Sequence, residues 1–152
     1  MTNTQLKYLA KHLLGTKIEK SAALIVGADT KSMFTVTDGR VCITALVGEV
    51  ATADIGANAS NLTVNADPTV GLTGVIGAAV AMASAVVGTT FSITGNPGDA
   101  IVKNTGVALT CTSPCIVAAG TITLATSGTN TGSMKWTVWY YPVDPDAYVT
   151  VT

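Results

Sequence analysis

Met134-Lys-Trp-Thr-Val-Trp-Tyr-Tyr-Pro142 reads as a β-strand with aromatic rings on both of its faces. β-Branched and aromatic residues suit a pleated surface. Alternation sends Trp136, Val138 and Tyr140 one way and Trp139 and Tyr141 the other. Both faces then need cover. One side is core, and Trp136 is expected there because it shares its face with Val138. The other side is expected to meet a further subunit, where aromatic residues are enriched. Trp136, Trp139 and Tyr141 are thus the interface candidates of this strand, the two tryptophans dividing between core and contact. A platform that stacks on sugars is the competing reading, but few acids and amides lie nearby to orient hydroxyls.

Moving outward from this strand, the same period-two pattern recurs with turn punctuation. Strands are expected at Ala22–Val26, Met33–Thr37, Val41–Val47, Leu62–Ala66, Thr90–Thr94 and Thr121–Thr126, with shorter ones at Ile101–Lys103, Val107–Thr110 and Ile116–Ala118. At least one more falls around Gly74–Ala83, and Ala147–Thr152 ends the series. In the third of these, Val41, Ile43, Ala45 and Val47 should share a face. Asp38-Gly39 is a hairpin signal, and Gly95-Asn-Pro-Gly98 is the strongest turn signal in the chain. Many short strands without alternating long helices predict an all-β fold, an antiparallel β-sandwich or jelly roll. The 152 residues fit one domain, with the β domain spanning 21–152.

Residues 1–20 differ from the rest and predict a helical arm. Leu6, Leu9 and Leu13 recur at helical spacing, Thr4 suits the N-cap and Gly15 the residue just past the C-terminus. A short amphipathic helix of this length is marginal alone and needs a surface to cover its leucines. Leu6, Leu9 and Leu13 therefore join the interface candidates.

Charge is scarce. Between Val41 and Met134 only Glu49, Asp54, Asp67, Asp99 and Lys103 are charged, and the whole chain is 11% charged with a net charge of −1. Soluble domains carry roughly 25%, so faces hidden in self-association are expected, most simply in a homotrimer. Without a basic stripe there is no electrostatic basis for nucleic-acid binding. Val70–Phe91 is uncharged and long enough to span a bilayer, yet Gly71, Gly74, Gly77, Gly88 and many Thr, Ser and Ala residues drive no insertion. A buried strand pair, or a strand plus a short helix, is expected there, with no membrane partner. The first twenty residues hold no signal peptide, which predicts synthesis in a cytoplasm.

Motifs of chemistry are missing from the sequence. His12 is the single histidine, without cysteine or carboxylate at ligand spacing, which disfavours triads and zinc sites. No nucleotide-binding glycine loop occurs. Asp144 and Asp146 flank Pro145 but fall short of the six or more oxygens calcium takes. Cys111 and Cys115 are spaced for a local disulfide, or, with Cys42, are reduced apolar side chains, the reading a reducing cytosol favours. No enzyme activity, cofactor or metal is expected.

The stretches Thr4–Ala10, Leu14–Lys20, Phe34–Arg40 and Thr131–Asp144 resemble small virion proteins of tailed bacteriophages, similar to head-decoration or minor capsid proteins. That resemblance implies a β-rich, often trimeric structural protein of the virion, made in the host cytoplasm and added to the capsid exterior. Its partners would be copies of itself and the major capsid protein. It implies no catalytic residues. The alternative is a tail or fibre component that recognises a host surface through the aromatic strand.

Overall fold

The computed structural model describes residues 2, 4–5, 13–24, 29–52, 54–57, 60–105 and 113–152, the side chains of 22–24 excepted. Eleven strands run through them: β1 (Thr16–Leu24), β2 (Thr30–Thr37), β3 (Val41–Val50), β4 (Asn61–Pro68), β5 (Gly74–Ala81), β6 (Thr90–Ser92), β7 (Val102–Asn104), β8 (Cys115–Val117), β9 (Gly120–Thr126), β10 (Ser133–Pro142) and β11 (Tyr148–Val151). They form two antiparallel sheets. The first has the order β1-β10-β3-β6-β7, with β8 also paired to β3, and the second β11-β2-β9-β4-β5. The all-β expectation holds.

The aromatic strand is the spine of the first sheet. On β10, Met134, Trp136, Val138 and Tyr140 are buried in the core, and Lys135, Thr137, Trp139 and Tyr141 alternate to the outside. Phe34, Val36, Leu62, Val64, Ile122 and Leu124 of the second sheet belong to the same core. The two sheets therefore face each other across one apolar layer, the arrangement that lets each bury its hydrophobic side. At one lateral margin, the Ala78 N–H donates to the Asp99 carbonyl (2.7 Å) and the Ile101 N–H to the Ala78 carbonyl (3.0 Å), tying β5 to the approach to β7. At the other, Lys20 Nζ on β1 donates to the carbonyl of Thr152, just past β11.

Three expectations are corrected. β1 begins at Thr16, ahead of the boundary expected at residue 20 and of the strand expected at Ala22. Its period-two pattern is weak in the sequence because, of the alternating less exposed positions Thr16, Ile18 and Lys20, only Ile18 is apolar and packs against the core, while Lys17 and Glu19 lie on the outer side. Second, Asp38 and Gly39 do make a turn, both at positive φ (58° and 138°), but β2 and β3 do not pair. The turn carries the chain over the end of the core, from Val36 in one sheet to Val41 in the other. Third, Val41, Ile43, Ala45 and Val47 do not share a face. Trp139 pairs with Ala45 and Tyr140 with Ile43, so Thr44 is an extra residue on β3. Such a bulge reverses the alternation beyond it. Leu46 and Val50 then take the core positions.

The predicted helix, including Leu6 and Leu9, falls largely outside the described residues, as does the strand expected at Val107–Thr110. At the start of the arm, Thr2 N–H donates to Gln5 Oε1 (2.9 Å) and Gln5 N–H to Thr2 Oγ1 (3.3 Å), a reciprocal capping box. The cap is thus Thr2, where Thr4 was expected. Gly15, expected just past the helix, has φ +88°.

Candidate interaction surfaces

The outer side of the first sheet is built around Trp139. Register places it between Lys17 on β1 and Ala45 on β3. Lys17 Nζ stands 5.9 Å from the centre of the indole and 2.9 Å from Glu19 Oε2. The hydrogen bond from Lys17 holds the Glu19 carboxyl below its ordinary pKa. One row beyond Glu19, and two from Trp139, Lys135 Nζ pairs with Glu49 Oε2 at 3.3 Å. Exposed pairs like these stabilise little, but they leave the face charged, mutually neutralised and hydrated.

The other interface candidates scatter. Trp136 is 3% exposed and belongs to the core, which removes it from any contact surface. Trp139 and Tyr141 are half-buried on the outer face. Leu13 is 68% exposed; Leu6 and Leu9 lie outside the described residues. The structure therefore brings Trp139 and Tyr141 onto one side of a sheet and separates Trp136 from them by the strand's own pleat.

At the end of the sandwich where β2 leads into β3, Arg40 and Asp144 form a two-pronged ion pair. Arg40 Nη2 lies 2.7 Å from Asp144 Oδ1, while Arg40 Nε and the Arg40 backbone N–H donate to Oδ2 at 2.9 and 2.8 Å. These donors lower the Asp144 pKa to about 2 and raise that of Arg40. Asp144 is thereby committed to a cation of its own chain. No cluster of three or more metal-ligating side chains stands among the described residues.

Cys42 and Cys115 are free thiols on adjacent strands. Burial, with a smaller contribution from Cys42, pushes Cys115 up to about 11. Cys111 lies outside the described residues. Among the described residues, no helix is long and apolar enough to cross a membrane.

Sequence reasoning missed the turn between β4 and β5. Val70 and Leu72, read as part of a buried segment, are 88% and 93% exposed. The signal was local: Pro68 ends one strand and Gly71, at φ +122°, separates the two aliphatic residues. An apolar run broken by such punctuation is a turn before it is a strand.

No family model matches the chain, and no curated protein matches it. Among solved structures it is similar to a chain of infectious bursal disease virus, Gx strain, at 14% identity and a TM-score of 0.25, over 90% of this chain and 33% of that one. The Gt strain of the same virus gives 16% identity and a TM-score of 0.26, over 90% and 34%. The chain spans about a third of the length of these viral chains.

Proposed function

We propose that the chain is a self-associating structural protein of a virion, a decoration or cement protein on the head of a tailed bacteriophage. The observation that carries this reading is the strand order. β1-β10-β3-β8 facing β2-β9-β4-β5, with the chain alternating between sheets, is the order of a jelly roll, an architecture used by viral capsid domains and by lectins. β6 shares with β8 the place beside β3, β7 extends the sheet beyond β6, and β11 adds an edge to the second. Because a fold alone hosts many functions, the reading also leans on the scarcity of charge. Cementing then works by mass action: a protein that binds the assembled shell and not its separated parts stabilises the shell.

Immunogold electron microscopy of intact virions, with antibody raised against the purified protein, tests the proposal. Label over the head exterior is the expected result. Label on tail or fibres favours the host-recognition reading, for which Trp139 and Tyr141 on the outer face are available rings. Virions without label, from a lysate that contains the protein, overturn both.

A further inference from the structure

The two outer faces of the sandwich are unlike. The first sheet carries Lys17, Glu19, Lys135 and Glu49 around Trp139. The second carries hydroxyls. Register lines up Thr150, Thr35 and Thr121 as one row across β11, β2 and β9, and the next row places Thr123 beside Asn65. These positions alternate with Phe34, Ile122 and Val64, which are buried in the core, so the threonines lie on the outer side, where Thr150 is exposed, Thr35 and Thr121 are half-buried and Thr123 is already covered by its neighbours. The one charge in these rows is Asp67, opposite Thr121. The β4–β5 turn prolongs the same sheet with Val70 and Leu72, both almost fully exposed.

We infer that this hydroxyl face of the second sheet packs against the same face of a second copy of the chain. The inference rests on the self-association proposed above and names the surface that makes it. Charge selects the face: interface centres are depleted in charged residues, and removing ions from water is costly unless they are well paired. A threonine face meeting its own copy desolvates methyls and hydroxyls that can bond across the contact. Area is sufficient. Five strands about 4.8 Å apart and roughly 23 Å long present about 500 Å² per copy, or about 1,000 Å² in the pair, the size at which specific contacts begin. The tip aliphatics add apolar surface beyond that. A face that meets itself is closed by a two-fold axis, so the contact makes dimers in place of the trimer expected from the sequence.

Multi-angle light scattering of the full chain across micromolar concentrations tests this. The wild type should show twice the 15.3 kDa mass of one chain. Thr121→Lys and Thr150→Lys should weaken association at least about tenfold each, while Val86→Lys, away from these rows, should leave it unchanged. Melting curves certify that the variants fold; if they do not, the wild-type mass still decides. A dimer untouched by folded face variants overturns the inference. A trimeric mass overturns it too, yet leaves self-association standing. A monomer at every concentration overturns both.

Discussion

Gly48 stands directly opposite Trp136 in the β10–β3 ladder, and the indole lies over it so closely that a Cβ there would come within 2.6 Å of Cζ2. The glycine leaves the space that the largest core ring fills. Trp136 is held from beyond as well, by a core that includes Val138 and Tyr140.

Gly48→Ala should therefore destabilise the protein by about 1–3 kcal/mol, the usual cost of overpacking. The methyl would meet three atoms of a rigid ring, where a flexible side chain could have swung aside. Urea unfolding measures the change. A melting midpoint equal to wild type would mean that the ring moves freely, contrary to its burial.

Trp136→Ala should cost roughly 3–5 kcal/mol, as loss of a buried aromatic does. Trp136→Phe should cost less than alanine. Besides keeping a ring, it removes an indole N–H that is buried without a hydrogen-bond partner among the described residues, so no donor is newly orphaned. Trp139→Ala should stay folded and lose about 1 kcal/mol, the scale of a cation–π contact with Lys17 plus partial packing. Equal losses at the two tryptophans would contradict their division between core and surface.

The contrast between these tryptophans was legible in the sequence because β10 keeps strict alternation from Met134 to Tyr141. β3 was not legible in the same way. Its apolar residues continue through Ala45, Leu46 and Val47, and nothing in that run marks Thr44 as the extra residue. Thr44 is held by contacts made at long range, its hydroxyl bonding to the carbonyls of Leu14 (2.6 Å) and Trp139 (3.2 Å). Asp38-Gly39 likewise announced a turn but not which sheet the next strand would enter. That depends on Val36 and Val41 finding opposite sides of one core, a non-local choice. The outer-face candidates were half legible: alternation placed Trp139 and Tyr141 outside, but the Lys17–Glu19 pair beside Trp139 comes from β1, where a helical arm was expected.

Acid should release Asp144 late. Its folded pKa, about 2, lies below the ordinary carboxylate value because Arg40 hydrogen-bonds the ionised form. A depressed acid pKa contributes stability that is present above the unfolded value, near 3.9, and is lost as pH falls through the folded one. The corner joining β2 to β3 should thus hold at pH 5 and loosen between about pH 4 and 2. Carboxyl carbon NMR shifts of Asp144 follow this directly. Arg40→Gln should move the Asp144 midpoint up toward the ordinary value, and a midpoint unmoved by that substitution would assign the shift to something other than the pair.

Cys115 should resist alkylation while the protein is folded. The reactive species is the thiolate, and a thiol raised to about 11 by burial holds on the order of a hundredfold less of it at pH 8 than an ordinary cysteine does. Because the folded pKa is raised, the associated stability is present below the unfolded value, near 9, and is lost as pH climbs toward 11. In a C42S/C111S variant Cys115 is the one remaining thiol, so iodoacetamide kinetics followed by mass spectrometry report on it alone. Protection should vanish in urea and weaken as pH rises past 9. Labelling of the folded variant at the rate of the unfolded chain would show that Cys115 is open to solvent, and with it the β3–β8 corner where it pairs with Ile43.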